Sequence, residues 1–134
     1  MSIRHLAVST LVFTAMSAAV ALLLQQGRDA WQPIVAAVLV TPPVWRALAR
    51  PRRGGIGRST LVGALIGGLT QLLPGVVLLG WGHLTGTNRT RLEEGWDVLA
   101  LMMFGFLACI AALPGCVCGA LLAWHEARSK VEAA

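Results

Sequence analysis

Residues 59–88 read STLVGALIGGLTQLLPGVVLLGWGHLTGTN and contain no Asp, Glu, Lys or Arg. The chain has three further uncharged stretches, at residues 6–24, 30–45 and 98–124. A helix that crosses the hydrocarbon core of a bilayer needs about 17–25 apolar residues. Residues 59–88 and two of the other stretches meet that length. Residues 30–45 meet it when extended to Ala49, because the long side chain of Arg46 can reach the headgroups.

The composition of the 134-residue chain also separates it from water-soluble domains. Hydrophobic residues make up 56% and charged residues 13%, whereas soluble domains carry about 25% charged residues. We therefore predict an all-α integral membrane protein, a single bundle of four transmembrane helices at about residues 6–24, 30–48, 60–82 and 97–124. The first stretch is predicted to be a retained helix, because its 19 uncharged residues exceed the about 7–15 of a cleaved signal peptide.

The tryptophans stand at the ends of the uncharged stretches. There are five of them and no tyrosine: Trp31, Trp45, Trp81, Trp96 and Trp124. An indole ring favours the headgroup level of a bilayer, where its apolar body and its N–H donor are both accommodated. We therefore predict that all five are membrane-interface anchors.

The distribution of basic residues predicts the orientation. If the N-terminus is cytoplasmic, the inner segments hold eight basic residues, namely Arg4, Arg46, Arg50, Arg52, Arg53, Arg58, Arg128 and Lys130. The outer loops then hold three, namely Arg28, Arg89 and Arg91. Because short cytoplasmic loops carry an excess of Lys and Arg, both termini are predicted to be cytoplasmic. The basic residues of the inner segments therefore explain the net charge of +5, and no nucleic-acid partner is needed to account for it.

The arginine-rich inner loop permits a second interpretation. Anionic headgroups attract basic residues near the surface by about 1 kcal/mol each. The residues predicted for such contact are Arg46, Arg50, Arg52, Arg53 and Arg58, although their role in setting the orientation already explains them.

The chain contains ten arginines but one lysine and one asparagine, a usage typical of GC-rich genomes. We therefore predict a bacterial inner membrane as the location.

Small residues recur at helical spacing in three of the predicted helices. The first helix carries such a stripe at Ala7, Thr10, Thr14, Ser17 and Ala21. In the third and fourth helices the predicted packing residues are Gly63, Gly67, Gly68, Gln71, Gly75, Gly105, Cys109, Ala112, Cys116 and Gly119. Small residues let helix backbones approach closely within lipid, so the pattern predicts a tightly packed bundle. The pattern leaves open whether the partner face belongs to this chain, a second copy or another protein.

Three local features bear on the helix boundaries. Pro42-Pro43 either kinks the second helix or ends it, and we favour a kink, because a full stop would leave backbone groups unpaired within the membrane. Ser59 and Thr60 are predicted to cap the third helix. The sequence Leu-Pro-Gly occurs at residues 73–75 and again at 113–115. A duplicated two-helix hairpin would explain the repetition, but we favour chance similarity.

The predicted spans offer little chemistry. Their uncharged cores, residues 6–24, 30–45, 59–88 and 98–124, contain no Asp, Glu, Lys or Arg, whereas ionisable residues within membrane helices are the usual trace of ion transport or proton relay. Cys116 and Cys118 are two residues apart and face different sides of one helix. His5 and His125 lie at the predicted inner boundary, where solvation is the ordinary outcome. We therefore predict no catalytic, metal or cofactor site and no enzymatic activity.

Two functions remain after these exclusions. The first is a non-enzymatic accessory, assembly or scaffold subunit that packs against a larger membrane complex or against itself. The alternative is a small oligomeric channel or carrier for a neutral solute, with Thr70, Gln71 and the proline kinks in its lumen. The lipid bilayer is a partner in both.

Overall fold

The computed structural model describes residues 3–24, 27–48, 55–86 and 96–132. These residues form four α-helices: α1 (Ile3–Leu23), α2 (Trp31–Leu48), α3 (Ile56–Leu84) and α4 (Trp96–Glu132). A short 3₁₀ helix, Gly27–Ala30, leads directly into α2. The prediction of an all-α fold is confirmed, and each predicted helix overlaps one of the observed helices.

Three of these helices are long and apolar enough to cross a membrane. The spans are Ile3–Leu23 in α1, Ile56–Leu84 in α3 and Val98–Glu132 in α4. Helix α2 has 18 residues, among them the polar Gln32 and the charged Arg46, and is not one of the three. The membrane character of the chain therefore rests on α1, α3 and α4, and the fourth span remains a prediction.

Helix α2 continues through Pro42 and Pro43 to Leu48, as favoured from the sequence. The two prolines lack N–H groups, so two carbonyls one turn earlier lose their helical donors. Residues on both sides of the prolines are buried, among them Ala36, Ala37, Thr41 and Trp45. Packing of the flanking turns therefore keeps the helix together across the interruption.

Two helix boundaries differ from the predictions. Helix α3 begins at Ile56, with Gly55 as its N-cap and no side-chain capping bond, so the prediction that Ser59 and Thr60 cap it was wrong. The Thr60 hydroxyl instead donates to the Ile56 carbonyl at 2.8 Å, inside the helix. Helix α4 continues two turns past Trp124, where Arg128 pairs with Glu132 at 3.3 Å. Such i,i+4 pairs favour helix in water, so the end of the apolar stretch did not mark the end of the helix.

The helices alternate in direction. Ser59 lies opposite Gly119 and Gly67 lies opposite Ala111, so α3 and α4 are antiparallel. Helices α1 and α2 meet where the rings of Phe13 and Trp45 lie 5.6 Å apart between centroids, inclined at 54°. The start of α1 reaches the end of α4, where His5 Nδ1 and Glu126 Oε1 are 3.8 Å apart.

A core of buried apolar side chains joins the four helices. Its members are Phe13, Met16 and Val20 of α1, Trp45 of α2, Val62 and Ile66 of α3, and Ala111 of α4. Burial is uneven along the chain. Within the most apolar 18-residue segment of each spanning helix, 33% of the residues are buried in α1, 39% in α3 and 17% in α4. Helix α4 is therefore the least buried of the three spanning helices.

Five of the six described Lys and Arg residues gather at one end of the bundle, which we call the arginine end. It comprises the first residues of α1 and α3 and the last residues of α2 and α4. Its described basic residues are Arg4, Arg46, Arg58, Arg128 and Lys130. Arg28 lies at the opposite end, which we call the outer end after its predicted location.

Candidate functional site

The most extensive helix–helix contact joins α3 to α4, and it is made by backbone. A Cβ atom added to Gly63 would fall against the carbonyl oxygen of Gly115, and one added to Gly115 would fall against the carbonyl oxygen of Gly63. A Cβ on Gly119 would meet the Ser59 carbonyl, and a Cβ on Gly67 would meet the Ala111 carbonyl. Side chains at these positions would hold the helices apart, so glycine is what permits the contact.

The remaining predicted packing residues of α3 line the same contact or the space beside it. Gly68 faces Ala108, whose carbonyl oxygen would lie 3.6 Å from an added Cβ. Gly75 lies against the ring of Phe104, and a Cβ added to Gly75 would be 2.7 Å from Phe104 Cδ1. Gln71 is 4% exposed. Phe104 and Ala111 were not among the predicted packing residues, although Ala111, Gly115 and Gly119 repeat every fourth position and could have revealed this face.

The predicted packing residues of α4 divide between two faces. Gly119 belongs to the contact with α3. Gly105, Cys109, Ala112 and Cys116 each follow a residue of the α3-facing stripe Phe104, Ala108, Ala111 and Gly115, and so lie about 100° further round the helix. An added Cβ at Gly105 would meet nothing within 4 Å, and Cys109 is exposed, whereas Ala112 and Cys116 are half-buried. We call Gly105, Cys109, Ala112 and Cys116 the open α4 stripe.

The tryptophans do not share one environment. Trp31, Trp81 and Trp124 are exposed, whereas Trp45 is 3% exposed and packs on Phe13. Here the structure departs from the predicted set of interface anchors, because the ring of Trp45 turns into the core instead of toward headgroups. Trp96 begins α4, but its side chain lies outside the described residues.

A cavity of about 230 Å³ opens between α2, α3 and α4 at the outer end. Its polar lining consists of Asp29, Gln32 and Gln71, and Gln32 Nε2 donates a long hydrogen bond of 3.5 Å to Asp29 Oδ1. Its apolar lining consists of Pro33, Pro74, Leu78, Met103, Phe104 and Leu107. We call this cavity the Gln71 pocket. Gln71 was predicted as a packing residue and as a lumen residue of the alternative function, whereas Asp29 and Gln32 were not predicted to join it.

A second cavity adjoins the Gln71 pocket along the outside of α2 and α3. It measures about 250 Å³ and shares Gln32, Pro74 and Leu78 with the pocket. Its other lining residues are Trp31, Val35, Ala36 and Leu39 of α2 and Leu73 and Val77 of α3. We call it the α2–α3 groove. The polar-lined pocket and the apolar groove are therefore neighbours along α2 and α3.

The predicted lipid-contact arginines are only partly described. Arg46 and Arg58 are exposed at the arginine end, and Arg50, Arg52 and Arg53 lie outside the described residues. The guanidinium of Arg128 lies 5.6 Å from the centre of the exposed Trp124 ring. Among the described residues, no group of three His, Cys, Asp or Glu side chains converges as a metal site would require.

No protein-family model, curated protein or solved structure matches this chain. The α3–α4 contact, the open α4 stripe and the Gln71 pocket are the features of the fold that bear on its function.

Proposed function

We propose that this chain is a non-enzymatic accessory or scaffold subunit of a bacterial inner membrane, which packs through α4 against a larger membrane complex or a second copy. The observation that carries the proposal is the open α4 stripe. It combines a glycine with free space around it, an exposed cysteine, and two further small residues on one face. Lipid tails are as apolar as leucine, so small residues on a lipid-facing surface gain nothing there, whereas they permit close approach of another helix.

The low burial of α4 supports the same proposal. Only 17% of its most apolar window is buried, about half the share in α1 or α3. One face of α4 contacts α3, and the core reaches α4 through Ala111, with Cys118 and Leu122 packed against it. A partner helix on the open α4 stripe would raise the burial of α4 toward that of the other two helices.

The proposed topology has four spans, with both termini in the cytoplasm. Its support is the arginine end, at which the described residues of all four helices contribute a basic residue and to which α2 returns the chain. Positive residues of short loops favour the cytoplasmic side. The arginine end would then face anionic headgroups of the inner leaflet, with Arg46 and Arg58 as the described contacts.

Affinity purification in mild detergent tests the proposal. We expect the chain to be recovered with a stoichiometric membrane-protein partner or as a defined homo-oligomer. Gly105→Leu should abolish that association, because leucine would project from the first residue of the open α4 stripe without disturbing contacts inside the chain. Gly80→Leu is the matched control, since Gly80 is a helical glycine of α3 with nothing within 4 Å of an added Cβ. A monomer without partner, or equal loss in both variants, would contradict the proposal.

A neutral-solute channel or carrier is kept as a second candidate because of the Gln71 pocket. The pocket brings two carboxamides and a carboxylate together at the outer end. Within one bundle the space toward the arginine end is filled by Phe13, Ile66 and Ala111, each 0% exposed, so a path would have to form between copies. Solute flux into reconstituted vesicles that Gln71→Leu alters would support this candidate, and vesicles without flux would remove it.

A further inference from the structure

We propose that the Gln71 pocket and the α2–α3 groove bind one single-chain amphiphile, with an ammonium head in the pocket and an alkyl chain along the groove. The site is the one that suggested the second candidate function, but binding requires no transport. The inference is also independent of the open α4 stripe, which lies on another helix face.

The head-group chemistry follows from the polar lining of the Gln71 pocket. Asp29 is the one ionisable side chain among the described residues that line either cavity. Its carboxylate repels a phosphate or carboxylate head and attracts a cation. A primary ammonium has three donors and no acceptor, and the oxygens of Asp29, Gln32 and Gln71 are acceptors. The charge of Asp29 therefore selects an amine over an acid, whereas the two carboxamides, which both donate and accept, can hydrogen-bond to either head.

The tail is assigned by the direction of the α2–α3 groove. On α2 the lining positions 31, 35 and 39 are spaced by four residues and follow one face away from the outer end. Eight residues of helix correspond to about 12 Å. Along this length the groove is apolar and is bordered by the exposed side chains of Val35, Leu39 and Val77.

The size of the site limits the ligand to one chain. Each cavity measures about 230–250 Å³. Pockets that bind drug-sized ligands measure about 300–1,000 Å³. The two cavities together accommodate a head in the Gln71 pocket and one alkyl chain in the α2–α3 groove. A two-chain phospholipid would have to leave its second chain outside.

Native mass spectrometry of the full chain, released from phosphatidylcholine nanodiscs, tests the inference with dodecylamine as the probe. We expect a saturable one-to-one adduct, weaker binding of dodecanol, and the weakest binding of dodecanoic acid. Asp29→Asn should weaken dodecylamine binding by about two- to fivefold, as for an exposed ion pair, and leave dodecanol unchanged. Gln71→Leu should weaken both by about tenfold, since it removes hydrogen bonding at a buried position.

Two exposed valines supply a matched pair of variants that leave the core untouched. Val77→Trp places a large side chain in the α2–α3 groove and should abolish the adduct, whereas Val76→Trp, outside both cavities, should preserve it. Multiple adducts that do not saturate, equal binding by the two variants, or a preference for dodecanoic acid would each overturn the inference. A one-to-one adduct in the mass spectrum, together with no solute flux into reconstituted vesicles, would uphold the inference and remove the channel candidate. Val77→Trp should also leave the association through α4 intact.

Discussion

Gly63 of α3 and Gly115 of α4 face each other so closely that a methyl group on either residue would overlap the carbonyl oxygen of the other. Gly119 and Gly67 extend this contact by one turn of helix in opposite directions. The α3–α4 hairpin is therefore held by backbone packing, which is the form of association that lipid favours when burial from water contributes nothing.

Gly63→Ala should destabilise the protein, because the added methyl meets backbone, which cannot rotate away. Overpacking of this kind costs about 1–3 kcal/mol. The measurement is the thermal midpoint in detergent, followed by fluorescence-detected size exclusion. Gly80→Ala is the control, because its methyl would meet nothing within 4 Å and alanine has the higher helix propensity. Equal midpoints for the two variants would show that the α3–α4 contact does not need glycine.

Gly75→Ala should also destabilise the protein, but in a way that a second substitution can repair. Its methyl would fall on the ring of Phe104, a side chain rather than backbone. We expect Phe104→Leu to restore part of the stability lost in Gly75→Ala and to restore none of that lost in Gly63→Ala. A double-mutant cycle on thermal midpoints measures the coupling, expected at about 0.5–3 kcal/mol for residues in contact. Additive effects of Gly75→Ala and Phe104→Leu would contradict the assigned packing.

Trp45→Ala should be among the most damaging single substitutions, because the ring is 3% exposed against Phe13. Removal of a buried Trp side chain costs about 3–5 kcal/mol. Trp81→Ala is the comparison, because Trp81 is 68% exposed and its loss should cost much less. The thermal midpoints of the two variants test the difference. If Trp81→Ala is the more damaging, Trp45 is not part of the core.

The fourth span can be tested by labelling engineered cysteines on the two sides of α2. In a background with Cys109, Cys116 and Cys118 replaced by alanine, Arg28→Cys should react with a membrane-impermeant maleimide from outside intact cells. Arg58→Cys should react only after the membrane is opened, because α2 returns the chain to the arginine end. Labelling of both from the same side would mean that α2 does not cross the membrane.

Sequence reasoning succeeded best along the helix axes. The uncharged stretches predicted α1, α3 and α4 as helices of membrane-spanning length, and the continuation of α2 through Pro42 and Pro43 followed from the cost of unpaired backbone in lipid. It failed at helix ends such as Ile56 and Glu132, because helix formation continues where apolar character stops.

Position around a helix was the part that only tertiary packing decided. Hydropathy places Trp45 at a helix end but does not say whether its ring turns toward headgroups or toward Phe13. On α4, small residues lie on two adjacent stripes, and the contact with α3 selects the one with Ala111 and Gly115, leaving Gly105 open. The sequence thus determined which segments are apolar helices, because the hydropathy of a segment depends only on the residues within it. Which face each helix turns inward was decided by the fit of one backbone against another, a property of pairs of helices that neither sequence carries alone.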